Sequence, residues 1–200
     1  MSIDQTAEKI VLAAIAVFLG RGVKGSSLND VAFEAGVTRI TVYRYFGDKL
    51  GLIRAVCRRV GEIFQRAAEG DPQDTFAQID QRMNRLAAEL GRLPQGSLLA
   101  RFEEIRRIYH ECYEEFRATR QDALDRFFQQ AVAAAVREHT LRDGIHLDVV
   151  KAMFCTSVVG LIENPTLIAS NVPLTEICST VTEVFRHGML KANDPKVETC

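Results

Sequence analysis

Hydrophobic positions along this chain recur at three- and four-residue intervals almost from end to end, the period of an amphipathic helix. Ile10, Ala14, Val17 and Phe18 form the first stripe, closed by the breaker-rich segment "GRGVKG". Ser27 stands at an N-cap position with Asp30 three residues on, in the pattern of a capping box. That pattern predicts a short helix stopping at Gly36. Thr38 is placed to cap a third helix ending near Phe46 and Gly47. Asp48 is placed to cap a fourth that runs toward Glu69, with Ile53, Val56, Val60 and Phe64 on one face. After "GDPQ" the period returns in Phe76, Ile79, Met83, Leu86, Leu90 and Leu93, until "LPQGS" interrupts it. Two further helical stretches are expected over 97–109 and 111–139. Residues 147–164 are apolar nearly all round, and a last helix from Pro173 to Leu190 carries Ile177, Val181, Val184 and Phe185. The final ten residues read as a loose tail. No alternating strand pattern occurs. The predicted fold is all-α with about nine helices, divided into a three-helix unit at 1–48 and a larger helical unit at 49–200.

Composition narrows the function classes. Hydrophobic residues make up 47% of the 200 positions and charged residues 26%, the balance of a soluble globular chain. The longest apolar run, "IVLAAIAVFLG", is far shorter than the roughly 20 residues a spanning helix needs. Asp4 and Glu8 precede it, which does not suit a signal peptide, so a cytoplasmic protein is expected. Net charge is −1, yet the first 60 residues hold nine Lys or Arg against five Asp or Glu. A basic front on an acidic body suits a polyanion-binding end. Cys57, Cys112, Cys155, Cys178 and Cys200 are odd in number and contain no C-x-x-C pair, which argues against a zinc site or a disulfide framework. His110, His139, His146 and His187 show no H-x-x-x-H spacing, and no nucleophile motif or Gly-rich phosphate loop accompanies them. Neither catalysis, a metal nor a cofactor is expected.

The densest chemistry lies in "AGVTRITVYRYFGDK", residues 35–49. On a helix, Val42 and Phe46 share one stripe and face the core. Ile40, Thr41 and Arg44 then point away from it, with Tyr43 and Tyr45 on the flanks and Arg39 in the first turn. Arginine can donate two hydrogen bonds to guanine O6 and N7, and an apolar side chain can pack on a thymine methyl. Tyrosine hydroxyls and Lys49 suit phosphate oxygens, which orient without reading sequence. A solvated helix whose tyrosines cover core is the plainer alternative for each residue taken singly.

"DVAFEAGVTRITVY" is similar to the general helix-turn-helix pattern: small Ala32 lets two helices approach, Gly36 makes the turn and Val42 anchors the second helix. The longer set "KIVLAAIAVFLGRG", "SSLNDVAFEAGVTRITVYRYF" and "DKLGLI", ending in Tyr43-x-Tyr45-Phe46-x-x-Lys49, resembles the tetracycline-repressor (TetR/AcrR) family. That resemblance covers about a quarter of the chain. It implies a homodimeric transcriptional regulator, usually a repressor. The recognition helix from Thr38 to Phe46 would enter the major groove of a near-palindromic operator, and a small molecule bound in the body would release the DNA. Carried over position by position, Thr38, Arg39, Ile40, Thr41, Tyr43, Arg44, Tyr45 and Lys49 are the candidate DNA contacts. Ile40 departs from the small or polar residue expected at its place.

Body residues carry weaker signals. Phe64, Met83, Phe102, Tyr109, His110, Cys112, Tyr113 and Phe116 supply the bulk from which a ligand pocket would be built, though an aromatic stripe at helical spacing usually makes ordinary core. The acidic run Glu103, Glu104, Glu111, Glu114 and Glu115 suits either a cationic ligand or a solvated face. Phe154, Ser157, Gly160 and Leu161 of the penultimate apolar helix, with Ile177, Val181, Val184 and Phe185 of the last, are the candidate dimer interface. A central helix of a monomer is the alternative. Gly61, inside the fourth helix, marks either a flexible point or a close packing contact. A thiol-switched DNA-binding regulator remains the alternative function.

Overall fold

The computed structural model describes residues 3–94, 98–162, 164–170 and 172–191. The helices run α1 (Ile3–Arg21), α2 (Leu28–Glu34), α3 (Arg39–Phe46), α4 (Lys49–Ala68), α5 (Phe76–Gly91), α6 (Leu98–Ile108), α7 (His110–Arg137), α8 (Leu147–Ile162), α9 (Pro165–Ala169) and α10 (Leu174–Met189). Among the described residues no strand forms. A single antiparallel bridge between Leu141 and Leu190 ties the α7–α8 loop to the end of α10. The all-α expectation holds, with one short helix added. Asn164 accepts from the backbone N–H of Thr166 at 2.9 Å and of Leu167 at 3.2 Å, and proline follows it at the first helical position.

Local chemistry places the first four helices. The Ser27 hydroxyl accepts from Asp30 N–H at 3.3 Å while the Asp30 carboxylate accepts from Ser27 N–H at 2.7 Å, so both halves of the capping box are made. These Ser27 hydrogen bonds hold the Asp30 carboxyl below its ordinary range. Gly36 has φ +59°, a left-handed conformation that side chains resist, and it turns the chain from α2 into α3. Thr38 caps α3 by accepting from Thr41 N–H at 3.1 Å, and Asp48 caps α4 by accepting from Gly51 N–H at 2.8 Å.

One continuous core runs through the molecule. α4 packs on α1 and, more extensively, on α7, so it belongs to both ends of the chain. Gly61 is buried at the α4–α7 contact, where an added Cβ would lie 3.1 Å from Thr119 Cγ2. Close packing therefore accounts for glycine there.

Three dimer-interface expectations need correction. Phe154, Ile177 and Val181 are buried within their own chain, Phe154 against Phe127, Phe128 and Phe185, and they offer no surface to a second molecule. Ser157, Leu161 and Phe185 are half-buried. Gly160 and Val184 remain exposed, and the outer side of α8 also exposes Val149 and Met153.

Gly61→Leu is expected to lose about 1–3 kcal/mol of folding stability through overpacking of the α4–α7 contact, read by denaturant titration.

Candidate nucleic-acid interface

α3 is held from behind and bare in front. Val42 is 0% exposed, and Phe46 and Tyr45 pack half-buried against the same core. On the opposite side Ile40 is 79% exposed, beside exposed Thr38, Arg39, Tyr43 and Arg44. Thr41 is half-buried, its hydroxyl 2.9 Å from that of Thr38. An isoleucine this bare has no role inside the chain.

Both arginines are braced by tyrosines. Arg39 Nη2 donates to the Tyr43 hydroxyl at 3.0 Å, and its guanidinium carbon sits 5.1 Å from the Tyr43 ring centroid. The Arg44 guanidinium carbon lies 5.4 Å from the Tyr45 ring. Such stacking restrains a long side chain without consuming all its donors, since a guanidinium carries five N–H groups. The face thus offers two restrained cations, an apolar tip and exposed hydroxyls over eight residues.

Lys49 does not join that face. Its ammonium donates to the backbone carbonyls of Val23 at 2.7 Å and Ser26 at 2.5 Å, and stands 5.8 Å from the Phe18 ring. Two of its three N–H donors thus close the α1–α2 turn, which leaves one for the expected phosphate contact. Carbonyl acceptors satisfy an ammonium that would otherwise be held in water.

Four of the candidate ligand residues, Phe64, Phe102, Tyr113 and Phe116, converge. Phe116 lies 4.8 Å from Phe102 in a stacked arrangement, 6.0 Å from Phe64 edge-on and 6.2 Å from Tyr113. Phe64, Met83, Phe102, Cys112, Tyr113 and Phe116 are all buried, Tyr109 is half-buried and His110 is exposed. His110 therefore stands apart from the cluster. Sequence reading missed Arg120, buried on α7 with its guanidinium carbon 5.4 Å from the Phe116 ring. It also missed a small apolar hollow of about 30 Å³ lined by Phe76, Phe127, Phe128, Phe154, Phe185 and Met189 among others.

The thiols are quiet. Burial pushes Cys57 up to about 12 and Cys178 up to about 11, and burial also raises Cys112 and Cys155. A redox switch needs an accessible thiolate, so the thiol-sensing alternative finds no support in these four. Cys200 lies outside the described residues.

The fold and the bare helix define a class: a helix-turn-helix protein with a large helical body. The sequence model for bacterial regulatory proteins of the tetR family matches residues 10–56. BepR of Brucella suis biovar 1, an HTH-type transcriptional repressor, is 40% identical over 81 residues, 38% of this chain and 39% of that protein. The chain thus spans about two fifths of that relative's length. TtgR of Pseudomonas putida, an HTH-type transcriptional regulator, is 27% identical over 86% of this chain and 85% of its own. Among solved structures, SmeT, the repressor of the Stenotrophomonas maltophilia multidrug efflux pump SmeDEF, superposes with a TM-score of 0.65. It is 22% identical and covers 94% of this chain and 91% of its own, a likeness of fold. Residues 10–56 thus carry the sequence pattern of tetR-family regulatory proteins, and the chain as a whole is similar to regulators of that kind.

Lys49→Ala is expected to lower folding stability by about 1–3 kcal/mol, because it leaves two carbonyls without their charged donor. The salt dependence of DNA binding should stay as it is. A phosphate-contacting lysine would instead reduce the slope by about 1 per subunit.

Proposed function

We propose that this protein is a ligand-responsive transcriptional regulator, a repressor that binds a near-palindromic operator as a homodimer in the cytoplasm and leaves it when a small molecule enters the body. Residues 1–48 form the DNA-binding unit in this reading and residues 49–200 the effector and dimer unit. The carrying observation is the outward face of α3, where Ile40 is exposed between two tyrosine-braced arginines while Val42 is wholly buried. An all-α chain without a membrane-crossing helix among its described residues is consistent with action on DNA.

The face divides its work. Arg39 and Arg44 are suited to guanine O6 and N7, Ile40 to a thymine methyl, and Thr38, Thr41, Tyr43 and Tyr45 to phosphates and edges. The repressor names of BepR and SmeT support repression. SmeT has also been solved in complex with triclosan. The buried Phe64–Phe102–Tyr113–Phe116 cluster supports an effector with an apolar aromatic body here. Dimerisation is assigned to the exposed side of α8 and α10. Met153 is 57% and Val184 63% exposed, and nothing lies within 4 Å of a Cβ built on Gly160.

Purified protein should select fragments with paired half-sites from its source genome, about one helical turn apart. Selection of no fragment above salt-sensitive background binding would remove the regulator reading. Arg44→Ala should lose about 1–3 kcal/mol on the selected site and relax preference at one position of each half-site. Met153→Glu should shift the protein to monomer in light scattering and weaken operator binding, while circular dichroism stays helical. A dimer unchanged by the carboxylate would remove the assigned interface.

A further inference from the structure

Glu104, one of the acidic run on the body, does not face solvent as a member of a charged surface would. Its side chain is 14% exposed and reaches the α1–α2 turn, some 80 residues earlier in the chain. Oε2 accepts from Val23 N–H at 3.1 Å and Oε1 from Lys24 N–H at 2.8 Å. One carboxylate thus satisfies two successive backbone donors, a charge-assisted arrangement that fixes direction as well as distance. Arg101 Nη1, one turn before on α6, stands 3.7 Å from Oε2. Gly22 leaves room for this approach: a Cβ there would lie 2.8 Å from Arg101 Nη1 and 3.1 Å from Glu104 Oε2.

The same turn is gripped from its other side. Lys49, at the start of α4, takes the carbonyls of Val23 and Ser26, and the Ser26 hydroxyl donates to Gly22 C=O at 2.6 Å. Val23 is therefore bound at both ends of its peptide, its N–H by a carboxylate of α6 and its C=O by an ammonium three residues beyond α3. Ser27, which caps α2, follows at once. Any displacement of α6 along its axis must either break two charged hydrogen bonds or carry the turn, and with it α2 and α3.

We infer that Glu104 is a positioning residue for the recognition helix: α6 sets the angle of α3 through this carboxylate. The inference rests on the regulator reading and deepens it. Phe102, two residues before Glu104, stacks on Phe116 inside the aromatic cluster, so α6 has one side chain among the candidate ligand residues and another on the DNA-binding end. A ligand that shifts Phe102 is transmitted to the turn without passing through α4.

The test uses full-length Glu104→Ala and Glu104→Gln beside the wild type. In the free proteins, hydrogen exchange at Val23 and Lys24 should quicken by about tenfold or more in Glu104→Ala, while buried amides of α4 and α7 keep their protection. On the selected operator, Glu104→Ala should bind about three- to tenfold more weakly with an unchanged salt slope and unchanged base preference, because no DNA contact is removed. Glu104→Gln, which retains one acceptor oxygen, should recover part of the loss. Unchanged exchange at Val23 and Lys24, or operator affinity equal to wild type, overturns the inference and leaves the regulator reading standing. Loss of protection throughout α4 and α7 also overturns it, since Glu104 would then support folding in general. Wild type that selects no DNA sinks the regulator reading instead, and the exchange experiment still reports on the clamp.

Discussion

An eight-residue helix does not hold its shape alone in water, because nucleation consumes more conformational freedom than two turns of hydrogen bonds return. α3 exists because Val42 is wholly buried and Phe46 packs behind it. That one-sided anchorage also leaves the other side free. The Thr38 cap fixes the start of the element, Gly47 at φ +75° closes its end by donating its N–H to the Tyr43 carbonyl, and the turn at Gly36 fixes its angle to α2. Everything assigned to the interface depends on this division of one short helix into an apolar back and a solvated front.

What the sequence could reveal was set by range. The Ser27–Asp30 capping box, the left-handed glycine and the Val42–Phe46 stripe are local, and each was legible from residues no more than four apart. The grip of Lys49 on the turn was not legible because its acceptors are main-chain carbonyls 23 and 26 residues away, and no side-chain pattern announces them. Glu104 stood in a run of acids that looked solvated, and only its approach to Val23 and Lys24 sets it apart. The α8 and α10 stripes showed which residues are apolar but not what covers them. Phe154, Ile177 and Val181 go to their own core, and Met153 and Val184 do not. Helix α9 had a signal that went unused, asparagine followed by proline at 164 and 165.

Two ionic contacts of opposite sign meet on the α1–α2 turn, and they join parts that the chain keeps far apart. A stacked aromatic cluster and a glycine-tight α4–α7 contact pack the body closely. Close-packed interiors transmit strain. α6 touches both the cluster, through Phe102, and the turn, through Glu104, and α4 does so too, through Phe64 and Lys49.

Dimethyl sulfate footprinting of a genomic fragment selected by the protein tests the central claim most directly, because the reagent reads guanine N7 in the major groove. The account predicts two protected patches, their centres about 10–10.5 base pairs apart or a multiple of that, and loss of guanine protection in both when Arg44 is replaced by alanine. Protection confined to the minor groove, or a footprint indifferent to the outward side chains of α3, would contradict it.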